Sequence, residues 1–184
     1  MPNKRLITEL ENGELDASMS IPKNSHKIYY SDVFVYFDNY AVTKKSRKIK
    51  IASIKDLKGK TLVSWHNAHE DLDDENFMTM YKSNVFSLKQ TPKQNMQVKA
   101  FLSDRFEVII IDKTILRYLS KKIQKSLNLP EQDLEFEYNK IFSKHTNLYS
   151  GFSSSELRDK FNKALDSMRK DGTYEKIVES FLNF

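Results

Sequence analysis

The sequence of 184 residues contains no cysteine. This excludes disulfides, thiolate zinc sites, iron–sulfur clusters and a cysteine nucleophile. Glycine is also scarce, with isolated residues at Gly13, Gly59, Gly151 and Gly172. Because no two of them are close together, neither the G-x-G-x-x-G fingerprint nor a P-loop occurs. The sequence therefore excludes both of these glycine-rich cradles for nucleotide phosphates.

The chain also lacks long apolar segments and a strong charge imbalance. No run approaches the roughly 18 consecutive apolar residues of a membrane-spanning helix, and no apolar signal-peptide core follows residues 1–5. From this start we expect either a cytosolic protein or a chain whose natural beginning lies upstream. The net charge is only +5, and no stacking aromatic lies within the densest basic stretch, Lys44–Lys50. We interpret that stretch as a solvated linker and expect no nucleic-acid partner.

Apolar residues make up 39% of the chain and aromatic residues 12%, a composition typical of a folded domain with a packed core. Strand-like segments such as 61–65, 85–88 and 108–111 alternate with helix-like segments such as 114–125. The continuous apolar run at 108–111 is typical of a central parallel strand. Two amphipathic helices, separated at Gly172, end the chain. This alternation predicts an α/β fold with mainly parallel sheets.

Several motifs, in this order along the chain, resemble those of the bacterial extracellular solute-binding proteins of family 3, best known from amino-acid uptake. The motifs are Arg5–Ala17, Tyr30–Asp32, Ile54–Lys60, Leu148–Ser153 and Asp171–Ile177. Each motif is only moderately specific, but their joint order covers essentially the whole chain. The resemblance implies a two-lobed fold of the periplasmic-binding-protein type (type II), with a ligand bound between two α/β lobes that close by a hinge motion.

The resemblance also implies where the lobes lie. Lobe one comprises residues 1–43 and 141–184, and lobe two comprises residues 44–140. Two hinge crossings, near residues 39–43 and 141–149, connect them. Family members begin with a strand, a helix and a second strand before the helix at Arg5, so the chain resembles an N-terminally truncated member. An incomplete first lobe exposes a sheet edge and an apolar face. We therefore expect a homodimer formed through lobe one, or poor solubility.

The function implied by the resemblance is non-enzymatic binding of a small polar, amino-acid-like solute in the periplasm, for uptake by a membrane ABC permease or for sensing. No cofactor is expected. Some relatives of this fold are dehydratases that act on cyclic acids, but no acid–base pair in this sequence supports such an activity. The alternative is an orphan or truncated sensory or interaction module that dimerises and has no transport role.

Asp112 matches the family position, at the end of a lobe-two strand, that accepts the ligand's ammonium group. The carboxyl ends of strands are where open α/β sheets bind ligands. The alternative is that Asp112 only caps the helix that follows it. The arginine with which the family grips a ligand carboxylate is missing from residues 22–27. Lys23, His26 or Lys27 can supply charge there, but not the two-pronged geometry of arginine.

The family's Gly/Ser/Thr-rich turn after the first lobe-two strand is replaced by His66, Asn67, Ala68 and His69. The two histidines have a spacing that suits a metal, but no H-E-x-x-H motif is present, and we assign no metal. The turn is interpreted instead as a source of hydrogen bonds to a ligand at a helix N-terminus, or as plain surface.

Three further positions are candidates for ligand contact. Trp65, the only tryptophan, either stacks on a ligand or belongs to the core. Ser18 and Ser20 end a lobe-one strand and either face the ligand or form an ordinary turn. Tyr36 is ambiguous in the same way.

Overall fold

The computed structural model describes residues 3–21, 23, 25–128 and 130–182. The helices are α1 (Asn3–Glu11), α2 (Ala68–Asp71), α3 (Glu75–Lys82), α4 (Gln94–Leu102), α5 (Lys113–Leu127), α6 (Ser155–Lys170) and α7 (Thr173–Leu182). The strands are β1 (Ala17–Ile21), β2 (Tyr29–Tyr30), β3 (Val35–Phe37), β4 (Asn39–Lys44), β5 (Thr61–Trp65), β6 (Ser87–Thr91), β7 (Val108–Asp112), β8 (Phe136–Asn139) and β9 (Thr146–Phe152). Short 3₁₀ turns occupy Lys45–Arg47, Ile54–Leu57 and Glu131–Leu134. None of the helices in these ranges is long and apolar enough to cross a membrane.

The chain divides into two compact units. Unit 1 comprises Met1–Tyr36 and Asn147–Phe184, and unit 2 comprises Phe37–Thr146. Unit 2 therefore begins earlier and ends later than the predicted lobe two of residues 44–140. The reason lies in β4, which was expected to be a hinge crossing. It pairs with β7 along one side and with β8 along the other, so it is an internal strand of unit 2.

The sheet of unit 2 has five strands in the order β6-β5-β7-β4-β8. β5 pairs in parallel with β6 and β7, whereas β4 is antiparallel to both β7 and β8. The sheet is mixed, and the expectation of mainly parallel sheets is wrong. A continuous apolar run such as that of β7 reports burial on both faces, but it contains no information about the direction of the neighbouring strands.

Core packing covers both faces of this sheet, because successive side chains of a strand point to opposite faces. Val108 and Ile110 of β7 belong to a core cluster with Phe77 of α3. Ile109 and Ile111 belong to a second cluster on the other face, formed with α4 and α5. All five residues of β7 are buried, which rigidly fixes the position of its last residue, Asp112.

Unit 1 contains a smaller sheet in which β9 lies between β1 and β2, antiparallel to both. Its core cluster is formed by Leu10, Ile21, Ile28 and Tyr30. Gly151 of β9 lies against this cluster. A Cβ atom added there would lie 2.5 Å from Ile21 Cδ1 and 2.9 Å from Ile28 Cγ2. Glycine is therefore required at this position by close packing.

The two C-terminal helices match the predicted amphipathic pair. Ser154 caps α6 by accepting a hydrogen bond from the backbone of Leu157, and Gly172, with φ +76°, separates α6 from α7. The pair is tied to the rest of unit 1 by Arg169 and by Tyr174, whose hydroxyl donates to the carbonyl of Phe34 at 2.7 Å. Leu157, Ile177 and Val178 nevertheless remain exposed, so part of the apolar surface of α6 and α7 is uncovered by described residues.

Candidate functional site

The carboxyl ends of β5, β6 and β7 meet at one edge of the unit 2 sheet, because these neighbouring strands are parallel. Their last residues are Trp65, Thr91 and Asp112. Antiparallel β4 brings its first residue, Asn39, directly opposite Asp112. Such an edge is the usual ligand site of an open α/β sheet. We call it the carboxyl edge of unit 2.

Asp112 is held there by three backbone N–H groups. Its Oδ1 accepts from Thr114 at 2.8 Å and from Ile115 at 3.1 Å, and its Oδ2 accepts from Asp38 at 3.0 Å. The first two bonds make it the N-cap of α5, as one of the two sequence interpretations predicts. Asp112 is only 8% exposed. Burial raises the pKa of this carboxyl above its ordinary value, although the three hydrogen bonds oppose the rise.

A charged cluster lies next to Asp112 around the side chain of Asp38. The Oδ1 atom of Asp38 lies 2.7 Å from His145 Nδ1 and 3.3 Å from Lys140 Nζ. Asn39 donates from Nδ2 to the hydroxyl of Thr146 at 2.9 Å. These contacts join β4 to residues 140–146, which stand far from it in sequence. They fix the backbone N–H of Asp38 that binds Asp112.

The turn after β5 is organised by Gln90 of β6. Asn67 has a left-handed backbone, with φ 63°, and its N–H donates to Gln90 Oε1 at 3.3 Å. Gln90 Nε2 then lies 2.6 Å from His69 Nδ1. Because the amide oxygen of Gln90 is used by Asn67, its NH₂ group faces the histidine, so Nδ1 accepts and the proton is assigned to Nε2.

The other residues of this turn have different environments. Trp65 is half-buried, and its Nε1 donates to Asp71 Oδ2 at 2.7 Å. Burial raises the pKa of Asp71, with the Trp65 hydrogen bond acting in the opposite direction. Ala68 is completely buried, and His66 is exposed. Of the predicted turn, the structure therefore joins Asn67 to His69 through Gln90 and leaves His66 at the surface.

The predicted assignment of no metal stays a prediction. In the described part of the chain, no three histidine, aspartate or glutamate side chains form a group that could hold a metal ion. His69 packs against the ring of Tyr81, with ring centroids 4.5 Å apart, and its Nε2 lies 3.7 Å from Glu70 Oε1.

The predicted site residues of unit 1 do not share one face. Ser18 is buried and pairs with Gly151, whereas Ser20 is exposed and has φ 57°. The cause is an irregularity in β1 between Ser18 and Ile21, which breaks the simple two-residue alternation of a strand. Tyr36 is 58% exposed. Ser18 and Ser20 thus differ in burial, and their contact with a ligand stays a prediction.

The segment that replaces the family's arginine is only partly described, since Pro22 and Asn24 lie outside the described residues. Lys23 Nζ lies 5.7 Å from the centroid of the Tyr149 ring. The backbone N–H of Ser25 donates to the hydroxyl of Tyr30 at 3.1 Å. His26 and Lys27 are exposed. Their role toward a ligand carboxylate stays a prediction.

Sequence reasoning missed Gln90, Asp71 and Asp38 at the carboxyl edge. Gln90 was missed because its strand was expected at residues 85–88, whereas β6 runs from Ser87 to Thr91. Beyond Leu88 the strand continues through Lys89, Gln90 and Thr91, which contain no apolar residue that would extend the sequence pattern. Asp38 lacked any local signal, because its importance comes from a partner far away in sequence.

The fold and the carboxyl edge define an α/β protein of the periplasmic-binding type, and comparisons with known proteins support this class. The arginine-binding extracellular protein ArtP of Bacillus subtilis is 29% identical over 188 residues, which cover 96% of this chain and 66% of ArtP. The probable amino-acid-binding protein YxeM of the same organism is 27% identical and is also covered to 66%. The chain thus spans about two thirds of the length of these curated relatives.

Solved structures agree in fold. The amino acid ABC transporter substrate-binding protein AbpA of Streptococcus pneumoniae, bound to L-arginine, superposes with a TM-score of 0.70 at 17% identity, covering 99% of this chain and 74% of AbpA. An ancestral arginine-binding protein bound to arginine gives 0.68 at 24% identity, covering 100% of this chain and 78% of that protein.

The profile of the bacterial extracellular solute-binding proteins, family 3, matches residues 1–184. The chain belongs to this family. The predicted family and the predicted α/β fold of the periplasmic amino-acid-binding type are both confirmed, with the correction that the sheets are mixed.

Proposed function

We propose that this chain is the ligand-binding part of a solute-binding protein for an amino acid, and that Asp112 accepts the ligand's ammonium group. The observation that carries the proposal is a buried carboxylate at the carboxyl end of β7, fixed by backbone N–H groups of α5 and of Asp38. Members of this family bind solutes, and the ammonium group of an amino-acid solute is a suitable partner for this carboxylate.

The hydrogen bonds of Asp112 leave room for such a ligand. A carboxylate offers about four acceptor positions, and three backbone N–H groups use three of them. Two of these bonds are to Oδ1, so the remaining capacity is on Oδ2. Burial disfavours the charged carboxylate, and a bound ammonium favours it. Ligand binding and ionisation of Asp112 are therefore coupled, and affinity falls as the pH drops through the pKa of this group.

Arginine is the first candidate ligand. ArtP is named for arginine binding, and AbpA was solved with L-arginine. The remaining predicted contacts are part of the proposal: His66, Asn67, Ala68 and His69 of the turn, Trp65 beside it, and Ser18, Ser20 and Tyr36 of unit 1. Closure of two lobes on the ligand also stays a prediction.

The setting of this activity is proposed from the family as well. Its members are extracellular solute-binding proteins, and AbpA belongs to an amino acid ABC transporter. We infer a non-enzymatic protein on the outer side of the membrane that delivers its solute to an ABC permease or to a sensor, without a cofactor.

Calorimetric titration of the 184-residue chain with L-arginine, L-lysine, L-glutamine and L-glutamate tests the proposal. Asp112→Asn keeps an oxygen that can cap α5 but loses the charge, and we expect it to weaken binding about 10- to 100-fold, the range of a charge-assisted hydrogen bond. Asp74→Asn is the matched control, because Asp74 also caps a helix, α3, and is not among the proposed ligand contacts. Absence of binding to all four amino acids contradicts the proposal, and unchanged affinity in Asp112→Asn removes Asp112 from the site.

A second candidate function is that of an interaction module that dimerises through unit 1. The exposed apolar side chains of Leu157, Ile177 and Val178 favour it. Sedimentation equilibrium over a hundredfold range of concentration tests it, with the variant Leu157→Ser/Ile177→Ser as the comparison. A concentration-dependent dimer that the variant abolishes supports this candidate, and a monomer at every concentration contradicts it.

A further inference from the structure

Helices α4 and α5 form a layer on one face of the unit 2 sheet, and the charge of this layer has a single sign. The two helices pack against each other, and their inner side chains, Val98 and Leu116 among them, belong to the same core cluster. Neither Pro92–Ser103 nor Lys113–Pro130 contains an acidic residue. A helix layer on a globular unit ordinarily mixes both signs, so the absence of acids is a distinctive feature of this surface.

The outer side of the layer carries seven exposed cations: Lys93, Lys99, Lys113, Arg117, Lys121, Lys122 and Lys125. Two large apolar side chains are exposed among them, Met96 by 51% and Tyr118 by 45%. Lys122 Nζ lies 5.9 Å from the centroid of the Tyr118 ring. We call these nine residues the α4–α5 face.

Two of the acidic residues that border the two helices in sequence are committed to internal contacts. Asp104 pairs with Lys44 at 3.0 Å and with Arg47 at 2.9 Å. Asp112 is buried as the cap of α5. The next acid, Glu131, follows the C-terminal end of α5. The carboxylates of Asp104 and Asp112 are thus already engaged in contacts within unit 2.

An acidic segment of unit 2 lies on the other side of its sheet. Residues 70–75 include five acids, and they lead into α3, whose Phe77 packs in the opposite core cluster. That side also carries exposed lysines, because the segment of Lys48, Lys50 and Lys58 packs there through Ile51 and Leu57. Both signs of charge therefore occur on that side, whereas α4 and α5 carry only one. A helical layer of a single sign favours an extended anionic partner.

We propose that the α4–α5 face docks on the surface of a lipid bilayer rich in anionic headgroups. The cations at 113, 117, 121 and 125 repeat every four residues, about 6 Å apart, along a helix of 15 residues, about 22 Å long. This is an extended outer surface of two packed helices, which suits a flat partner better than a peptide held in a groove. Lysine stems and an exposed tyrosine and methionine are suited to the boundary between headgroups and acyl chains. The proposal goes beyond solute binding and does not depend on the ligand.

Co-sedimentation of the 184-residue chain with vesicles tests this proposal. Equal mixtures of phosphatidylglycerol and phosphatidylcholine should bind the chain, and pure phosphatidylcholine should not. Raising NaCl toward 1 M should release the chain, because the screening length falls to about 3 Å. The triple variant Arg117→Gln/Lys122→Gln/Lys125→Gln should bind about a hundredfold more weakly, since each basic residue near an anionic surface contributes about a factor of five.

The matched control removes the same charge from a different helix. Lys160→Gln/Lys163→Gln/Lys170→Gln changes α6, where Glu156 and Asp166 already pair with two of the three lysines, and it should bind nearly as the unchanged chain does. Circular dichroism checks that both variants keep their helices. Equal loss in both variants means that net charge alone drives binding and overturns the proposal, as does failure to bind the anionic vesicles.

A soluble acidic polymer, polyglutamate, separates a bilayer from an acidic protein segment as the partner. We expect Met96→Ser to weaken vesicle binding severalfold and to leave polyglutamate binding unchanged, because only the bilayer offers an apolar phase. If polyglutamate binds the α4–α5 face as tightly as the vesicles do and Met96→Ser has no effect on either, the partner is an acidic polymer and the bilayer proposal is wrong.

Discussion

The replacement Gly151→Ala is the sharpest test of the packing of unit 1. Gly151 lies between β1 and β2, paired with Ser18 on one side and Tyr30 on the other. Its φ is not in the left-handed region, so an alanine backbone is unstrained. The new methyl group, however, would meet Ile21 Cδ1 at 2.5 Å and Ile28 Cγ2 at 2.9 Å. The effect of the replacement is therefore one of steric overpacking.

The magnitude follows from two opposing contributions. Overpacking a close-packed core costs about 1–3 kcal/mol, and replacing glycine by alanine recovers about 0.4–1 kcal/mol by reducing the entropy of the unfolded chain. We expect a net destabilisation of about 1–2 kcal/mol, which lowers the melting temperature by about 2–8 °C for a chain of this size. Shortening Ile21 to valine removes the Cδ1 atom and should relieve part of the clash, but the β-branched Ile28 remains in place.

Urea unfolding followed by circular dichroism measures both single variants and the double variant Gly151→Ala/Ile21→Val. Ile21→Val alone should cost about 0.5–1.5 kcal/mol, and the double variant should cost less than the sum by about 1 kcal/mol. Ile109→Val in unit 2 is the control, since its effect should add to that of Gly151→Ala within about 0.5 kcal/mol. Fluorescence of Trp65, the only tryptophan, follows unit 2 separately.

Two results would refute the reasoning on Gly151. One is a Gly151→Ala variant as stable as the unchanged chain, which would mean that the core of unit 1 yields to a methyl group without loss. The other is strict additivity with Ile21→Val, which would mean that Ile21 is not the group in contact.

Three further predictions concern unit 2. Asp104→Ala removes the carboxylate that pairs with the buried Lys44 and leaves the ammonium with the carbonyl of Leu102 as a hydrogen-bond partner. We expect the free energy of unfolding, measured in urea, to fall by about 1–3 kcal/mol. Adding Lys44→Met to this variant should restore most of the lost stability, and a failure to restore it contradicts the role given to this ion pair. Burial raises the pKa of Asp71, so its contribution to stability is present at low pH and is lost as pH rises through that raised pKa. Trp65 fluorescence should titrate with this carboxyl, at a pH above the ordinary range of an aspartate, and a titration that persists in Asp71→Asn argues against this pair. Asp74→Ala removes the cap of α3 and should lower the free energy of unfolding by about 1 kcal/mol, measured by thermal melting. Asp74→Ser should keep most of the stability, because serine can also cap a helix. Equal loss of stability in both variants would show that capping is not the role of this residue.

The local elements were predictable because their signals lie in short stretches of sequence. The apolar period of α5 and the separation of α6 from α7 at Gly172 depend on neighbours within a few residues. The uninterrupted apolar run of β7 correctly indicated a strand buried on both faces. The direction of the adjacent strand β4 was not predictable from the same residues, because strand direction is set by how the chain returns to the sheet.

The candidate site was predictable only in part. Asp112 was found because the end of β7 is visible in the sequence, and its capping role followed from its place before a helix. Gln90 was missed through an error of three residues in the end of β6, which moved the predicted carboxyl edge away from it. The different orientations of Ser18 and Ser20 result from a local irregularity of β1 for which the sequence carries no evident signal.

By itself, the sequence determined the family, the α/β class, the order of the main helices and strands, and the position of one buried carboxylate. The tertiary structure alone decided that the backbone of Asp38 binds Asp112 across 74 positions, and that α4 and α5 join into one acid-free surface. Helical and strand periods are properties of residues adjacent in the chain, so they can be read directly. Contacts between distant segments form only when the whole chain has folded. The residues around each partner do not indicate which distant residue it will contact.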